Sequence, residues 1–113
     1  MYKRGEIVMI PVPFSNLRAH KKRPVVVISN NEYNESHPDM IVMGITSNLT
    51  QQGIRITNDC LASGKLPKPS LIRPDKVYTL FQDLVLNSVG QIQNDILTNA
   101  TSELIGFVSL VDN

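Results

Sequence analysis

Hydrophobic residues along most of the chain come in short runs that predict β-strands. In residues 6–14 alternate side chains are apolar, while Ile7 and Met9 make the other face partly apolar as well. Residues 24–28 and 40–46 are almost continuously apolar, which is typical of strands buried on both faces. Shorter apolar runs predict further strands at 54–57, 70–72, 76–81 and 89–92.

Polar segments at 15–22, 30–39 and 58–69 separate these runs and are predicted to be loops. Near the C-terminus the spacing of apolar residues changes to three or four positions, which predicts a helix containing Leu97, Ala100, Leu104, Phe107, Val108 and Val111. Asn94 is the expected N-cap of this helix, and Asp95 suits the positive end of its dipole.

Together these elements predict a mainly β fold: a small closed barrel with a C-terminal helix, in a single domain spanning residues 1–113. The gaps between strands lack the helices that a parallel α/β sheet requires. One helix can cover only part of the apolar surface of strands 24–28 and 40–46. We therefore expect a second copy of the chain to cover the rest in a homodimer.

Composition indicates a cellular compartment and reveals a local charge imbalance. No apolar run is long enough to span a membrane, the N-terminus lacks the apolar core of a signal peptide, and Cys60 is a single cysteine, so we expect a cytoplasmic protein. The net charge is only +1, yet residues 1–76 carry 11 basic and 6 acidic side chains, and residues 77–113 carry 4 acidic and no basic ones. This imbalance suggests a local anionic partner, with solvated surface loops as the simpler alternative.

The residues available for chemistry exclude several classes of active site. Metal-ligand spacings such as CxxC and HExxH, a phosphate-binding glycine loop and the GxSxG nucleophile motif are all missing, so no metal or cofactor is expected. Arg, Thr, Ser, Asp and one His remain as candidates. They suit RNA cleavage, because RNA supplies its own nucleophile, the 2′-hydroxyl. The protein then needs a proton acceptor, a donor for the leaving 5′-oxygen and positive charge for the phosphorane.

Arg23 is the strongest candidate for that positive charge. It lies where a polar loop meets a buried strand, and Pro24 favours an extended, rigid backbone at Arg23. A surface cation that protects a strand edge is the alternative. Thr46 and Ser47 end strand 40–46, where their hydroxyls could hold a phosphate or a 2′-hydroxyl, or simply cap a turn.

The other candidates are charged or lie beside charges. Lys21 and Lys22 precede Arg23 and form a basic lip that would attract the RNA backbone, with His20 next to them. Arg73 and Asp75 form a second charged pair, for which an exposed salt bridge of little energetic value is the alternative. Because aromatic residues are few, base choice is expected to rest on hydrogen bonds from loop residues.

In their order along the chain, the segments GEIVMIPVPF, KKRPVVVIS, GITSN, SGKLPKPSLIRPDKVYTL and VGQI resemble the MazF/PemK-like toxins of bacterial toxin–antitoxin pairs. This resemblance implies an SH3-like barrel with a C-terminal helix that works as a homodimer. It also implies a metal-independent endoribonuclease that cuts single-stranded RNA at short sequences and is held inactive by a cognate antitoxin.

The resemblance also assigns roles to residues. It makes Arg23 and Thr46 the two central catalytic positions, matches Arg73 and Asp75 to charged positions of some members, and places His20 in a loop where some members carry a helper histidine. Asn16 stands where relatives often have a carboxylate. The general base is left open between Arg23, Asp75, His20 and a water molecule.

Two other functions are compatible with the same fold. A gyrase-poisoning toxin is disfavoured, because such toxins rely on a C-terminal Trp-Gly-Ile, whereas this chain has no Trp and ends in LVDN. A non-catalytic barrel that binds RNA or a protein partner is the remaining alternative.

Overall fold

The computed structural model describes residues 1–12 and 21–110, and in them a single antiparallel sheet dominates. Its 7 strands have the spatial order β4-β6-β3-β2-β1-β7-β5. The strands are β1 (Glu6–Val12), β2 (Lys21–Val27), β3 (Asp39–Thr46), β4 (Ile54–Ile56), β5 (Leu61–Gly64), β6 (Ser70–Phe81) and β7 (Asn87–Ile92). The helices are α1 (Asn31–Ser36) and α2 (Asn94–Phe107), with short 3₁₀ turns at Asn58–Cys60 and Gln82–Leu84.

This architecture confirms the predicted mainly β barrel with a C-terminal helix, with one difference. The sheet curls into a half-barrel, and its edge strands β4 and β5 form no ladder with each other in the described residues. Ile56 of β4 and Leu61 of β5 nevertheless pack in the same core cluster. The two edges are therefore joined through side chains rather than through backbone hydrogen bonds.

Several predicted element boundaries were wrong. Residues 30–39 are not all loop, because α1 forms there with Asn30 as its N-cap, whose side chain accepts a hydrogen bond from the backbone of Tyr33. Residues 58–69 contain β5, a mostly exposed edge strand with little hydrophobic alternation to reveal it. The N-cap of α2 is Gln93 rather than Asn94.

The runs predicted as separate strands at 70–72 and 76–81 are one strand, β6, interrupted by a bulge. Met43 of β3 pairs with Val77, whereas the next residue, Gly44, pairs with Arg73. Residues 74–76 therefore have no counterpart on β3, and the strand bends at this point.

The sheet buries apolar side chains on both faces, in two clusters. The cluster on the helix side contains Leu97 and Ala100 of α2 together with strand residues such as Ile7, Val26 and Met43. The second, which we call the inner cluster, consists of Val8, Ile10, Val25, Val27, Met40 and Val42, with Tyr2, Leu80 and Val85 packed against it.

The two clusters correct the reasoning that led from strands 24–28 and 40–46 to a dimer. The core residues of these strands are at most 3% exposed in the single chain, so no second copy is needed to cover them. Exposed apolar side chains lie elsewhere, for example at Ile105, Phe107 and Val108 near the end of α2. Within residues 1–12 and 21–110, no helix combines the length and the hydrophobicity needed to cross a lipid bilayer.

Candidate active site

Extrapolated strand register aligns the two predicted catalytic residues. β2 and β3 pair at Val27↔Val42, Val26↔Met43 and Val25↔Gly44. Continued by two residues along both strands, this antiparallel register aligns Arg23 with Thr46. The ladder between β2 and β3 ends at Val25, which is next to Pro24, and Pro24 has no N–H to donate.

These residues lie on the face of the sheet that carries the inner cluster. Val25 and Val27 point into that cluster, and alternation along β2 therefore places Arg23 on the same face. Arg23 also pairs with Ile10 of β1, another member of the cluster. On β3 the same alternation from Val42 reaches Gly44 and Thr46. We call this polar end of the inner face the rim: Lys21, Arg23, Gly44, Thr46 and Arg73.

The guanidinium of Arg23 has no partner within residues 1–12 and 21–110. Its side chain is exposed, and among the described residues it forms neither a hydrogen bond nor an ion pair. Lys21 and Lys22, at the start of β2, are exposed in the same way. The donors of Arg23 are therefore free to bind two oxygens of a phosphate, a geometry that a planar guanidinium matches.

The hydroxyl of Thr46 has a structural role as an acceptor, and its O–H remains available as a donor. It is half-buried, and its Oγ1 accepts a hydrogen bond of 3.1 Å from the backbone N–H of Asn48. The Asn48 side chain in turn accepts hydrogen bonds from the backbone N–H and the hydroxyl of Thr50. The turn after β3 thus holds the Thr46 oxygen in place while leaving its O–H available as a donor. Ser47, the next residue, is exposed.

Arg73 contrasts with Arg23, because all its donor nitrogens have partners within the chain. Its Nε lies 3.0 Å from Asp75 Oδ1 and its Nη2 lies 2.8 Å from Asp75 Oδ2, while Nη1 donates to the side chain of Gln51. This is the one ion pair within the described part of the chain. Arg73 therefore links the β6 bulge to the loop that follows β3.

The pair shifts both pKa values in the direction expected for mutual stabilisation. The hydrogen bond from Arg73 holds the pKa of Asp75 below its ordinary value, against the opposing effect of desolvation. The hydrogen bond to Asp75 raises the pKa of Arg73, and a weaker electrostatic effect of Tyr78 acts in the same direction. Asp75 is accordingly ionised at neutral pH.

The structure brings together most of the residues singled out from the sequence. Lys21, Arg23, Thr46 and Arg73 belong to the rim; Lys22, Ser47 and Asp75 are their chain neighbours. His20 and Asn16 lie outside the described residues.

Four further residues at this place were not expected from the sequence: Gly44, Gln51, Lys76 and Tyr78. A Cβ built on Gly44 would lie 3.4 Å from the Cβ of Lys76 and 3.7 Å from Cε2 of Tyr78, so both side chains approach the rim. The sequence pattern did not reveal these residues, because the bulge at 74–76 changes which side chains of β6 lie on the face of the inner cluster. In residues 1–12 and 21–110, no three His, Cys, Asp or Glu side chains converge in a way that could hold a metal ion.

A family comparison decides what kind of protein carries this site. The sequence model of PemK-like, MazF-like toxins of type II toxin–antitoxin systems matches residues 3–108. The chain belongs to this family. No curated protein sequence matches it.

Solved structures of toxins share the fold at low sequence identity. A mycobacterial endoribonuclease in complex with its cognate antitoxin superposes with a TM-score of 0.75 at 15% identity, over 100% of both chains. MazF in a MazE–MazF structure from Deinococcus radiodurans gives a TM-score of 0.75 at 18% identity, over 97% of both chains. The Mycobacterium tuberculosis toxin MazF-mt6 gives 0.69 at 18% identity, over 96% of this chain and 99% of the other. These similarities establish that this toxin has the MazF fold.

Proposed function

We propose that this toxin is a metal-independent endoribonuclease that cleaves single-stranded RNA at short sequences. The observation that carries the proposal is the exposed guanidinium of Arg23, which has no partner in the described part of the chain and which the β2–β3 register, continued by two residues, aligns with Thr46. The family is one of toxins, and two of the structural relatives are named as endoribonucleases.

In the proposed reaction the 2′-oxygen of a ribose attacks the adjacent phosphorus, and the bond from phosphorus to the 5′-oxygen breaks. The 2′-hydroxyl loses its proton and the leaving 5′-oxygen gains one, which gives a 2′,3′-cyclic phosphate and a 5′-hydroxyl end. Arg23 stabilises the additional negative charge of the phosphorane through two charge-assisted hydrogen bonds. The O–H of Thr46 donates to a phosphate oxygen or orients the 2′-hydroxyl.

The arrangement of charges narrows the choice of proton acceptor. Asp75 has both carboxylate oxygens bonded to Arg73 and a lowered pKa, which makes it a weak base. We therefore favour Arg23, His20 or a water molecule over Asp75 for this step. Arg73 and Asp75 would act on RNA indirectly, by positioning the Gln51 loop beside Thr46.

We also propose the partners that such a toxin requires. Lys21, Lys22 and Lys76 would hold phosphates that flank the one at Arg23. A cognate antitoxin, of the kind bound to the mycobacterial relative, would compete with RNA for this basic surface. A homodimer of single-domain chains in the cytoplasm is the working form we propose, with the exposed apolar residues near the end of α2 as one surface that a partner chain could cover.

A cleavage assay tests this function directly. The purified protein is incubated with a long single-stranded RNA in EDTA, and the fragment ends are mapped. We expect discrete fragments with 5′-hydroxyl ends. Intact RNA after long incubation would instead support the non-catalytic barrel, and inhibition of DNA supercoiling by gyrase with intact RNA would support the gyrase-poisoning alternative.

A further inference from the structure

Tyr78 places an aromatic ring beside the rim. On β6 it pairs with Val42, and Leu80, two residues further on, packs against the inner cluster. Alternation along the strand therefore puts Tyr78 on the inner face, between the cluster and the rim. The residue is 48% exposed, so a large part of the ring is open to solvent.

The ring of Tyr78 reaches towards the rim. Its Cε2 lies 3.7 Å from the position that a Cβ would occupy on Gly44, two residues beyond Val42 on β3. Gly44 in turn pairs with Val25 on one side and Arg73 on the other. The ring thus lies beside the segment of β3 that leads to Thr46. Because Gly44 has no side chain, there is room for the ring at this position.

Within the described residues the ring approaches Gly44 and acts electrostatically on Arg73, but no hydrogen bond or ring stacking holds it in this position. The phenol hydroxyl has no hydrogen-bond partner among the described residues. The other tyrosines differ: Tyr33 is stacked on His37, and Tyr2 is half-buried against the inner cluster. Tyr78 is the one tyrosine in the described residues whose ring is largely free.

We propose that Tyr78 is the platform on which a base of the RNA substrate stacks, next to the phosphate held by Arg23; this inference rests on the proposed function. The surrounding charges favour a nucleic acid as occupant, because Arg23, Lys21 and Lys76 supply cations for the backbone. An exposed ring among such cations offers a surface to a base of any sequence. Stacking therefore adds affinity here, and base choice rests on other contacts.

Binding to uncleavable RNA analogues separates stacking from charge. One probe is a mixed-sequence 2′-O-methyl oligonucleotide, and the other is an abasic oligomer with the same number of phosphates. We expect Tyr78→Ala to weaken binding of the first about 5- to 150-fold and to leave binding of the second unchanged. Tyr78→Phe, which keeps the ring, should bind both probes like the wild type.

A fluorescent variant reports stacking directly, because the chain contains no tryptophan. We expect the emission of Tyr78→Trp to be quenched by the 2′-O-methyl oligonucleotide and not by the abasic oligomer. Phe81→Trp is the matched control. Phe81 lies on the same strand, is 60% exposed and points to the opposite face by alternation, so neither probe should quench it.

Two results overturn the stacking role while leaving the proposed function in place. In the first, wild-type protein cleaves RNA, yet Tyr78→Ala binds the base-bearing probe as tightly as wild type. In the second, Tyr78→Ala loses affinity for both probes and changes its elution on gel filtration, which would make Tyr78 a contact between copies of the chain. If wild-type protein neither binds nor cleaves RNA, the proposed function fails and the stacking role fails with it.

Discussion

The chain contains two Arg-Pro dipeptides whose arginine side chains have different surroundings. Arg23-Pro24 precedes Val25, whose side chain points into the inner cluster, and the guanidinium of Arg23 has no partner in the described residues. Arg73-Pro74 precedes Asp75, which binds two nitrogens of Arg73. Both arginines lie at the rim, on either side of Gly44.

The residue two positions after each arginine explains the difference. In a regular strand residues i and i+2 share a face, and the apolar Val25 offers Arg23 no acceptor. At Arg73 the bulge brings a carboxylate within reach, so the positive charge is neutralised and its donors are occupied. An arginine without an internal acceptor is available to a phosphate, whereas a paired arginine serves to position its neighbours.

The largest effect should follow removal of the free arginine. We expect Arg23→Ala to lower the rate of RNA cleavage by about a hundredfold or more, because the phosphorane loses its charged donor. Since the side chain is exposed, the thermal unfolding midpoint should stay close to that of the wild type. Cleavage kinetics and circular dichroism check both points. A variant that cuts at the wild-type rate would remove Arg23 from the mechanism.

Arg73→Ala sharpens the comparison, because it removes the paired arginine from the same face. We expect a smaller loss of cleavage than the roughly hundredfold loss at Arg23, together with a lower thermal unfolding midpoint. The physical reason is that Arg73 holds Gln51 and Asp75 instead of contacting the phosphate. Equal losses of activity in the two variants, without any loss of stability, would show that the internal pairing does not distinguish their roles.

Lys21→Ala should have a modest effect that depends on salt. We expect weaker RNA binding at low salt and a slope of log K against log salt that is reduced by about 0.7, the value for one phosphate contact on a single strand. Fluorescence anisotropy over a range of salt concentrations measures this slope. Lys3→Ala, which removes an exposed lysine just before β1, at the end of that strand opposite to its pairing with Lys21, is the control and should leave the slope unchanged. A slope identical to that of the wild type would exclude Lys21 from the RNA contact.

The smallest effect concerns the pH dependence contributed by the Arg73–Asp75 pair. Because the pKa of Asp75 is lowered on folding, its stabilising contribution is present above the unfolded value of about 3.9 and is lost as the pH falls through the lower folded value. Since the carboxylate is 46% exposed, we expect Asp75→Asn to lower the unfolding midpoint at pH 7 by about 2 °C or less. The difference from wild type should vanish at a pH low enough to protonate Asp75 in the folded state as well. A difference that persists there would assign the effect to packing.

The mainly β barrel with its C-terminal helix could be predicted from the sequence, because apolar alternation and the later helical spacing report directly on burial. The same pattern identified Thr46 as the end of one buried strand and Arg23 as the residue before another, although the structure places Arg23 inside β2, which begins at Lys21. It could not reveal α1, which depends on a cap at Asn30 rather than on hydrophobic periodicity, or β5, which is held by pairing with β7.

The sequence by itself determined that an arginine precedes the buried part of one strand and that a threonine ends the next one, since both facts follow from local pattern. Only the tertiary structure decided which arginine is free and which is paired. It also decided that Tyr78 and Lys76 approach Gly44. The physical reason is that cross-strand register and a bulge at residues 74–76 are set by pairing between distant segments, and no local pattern encodes them.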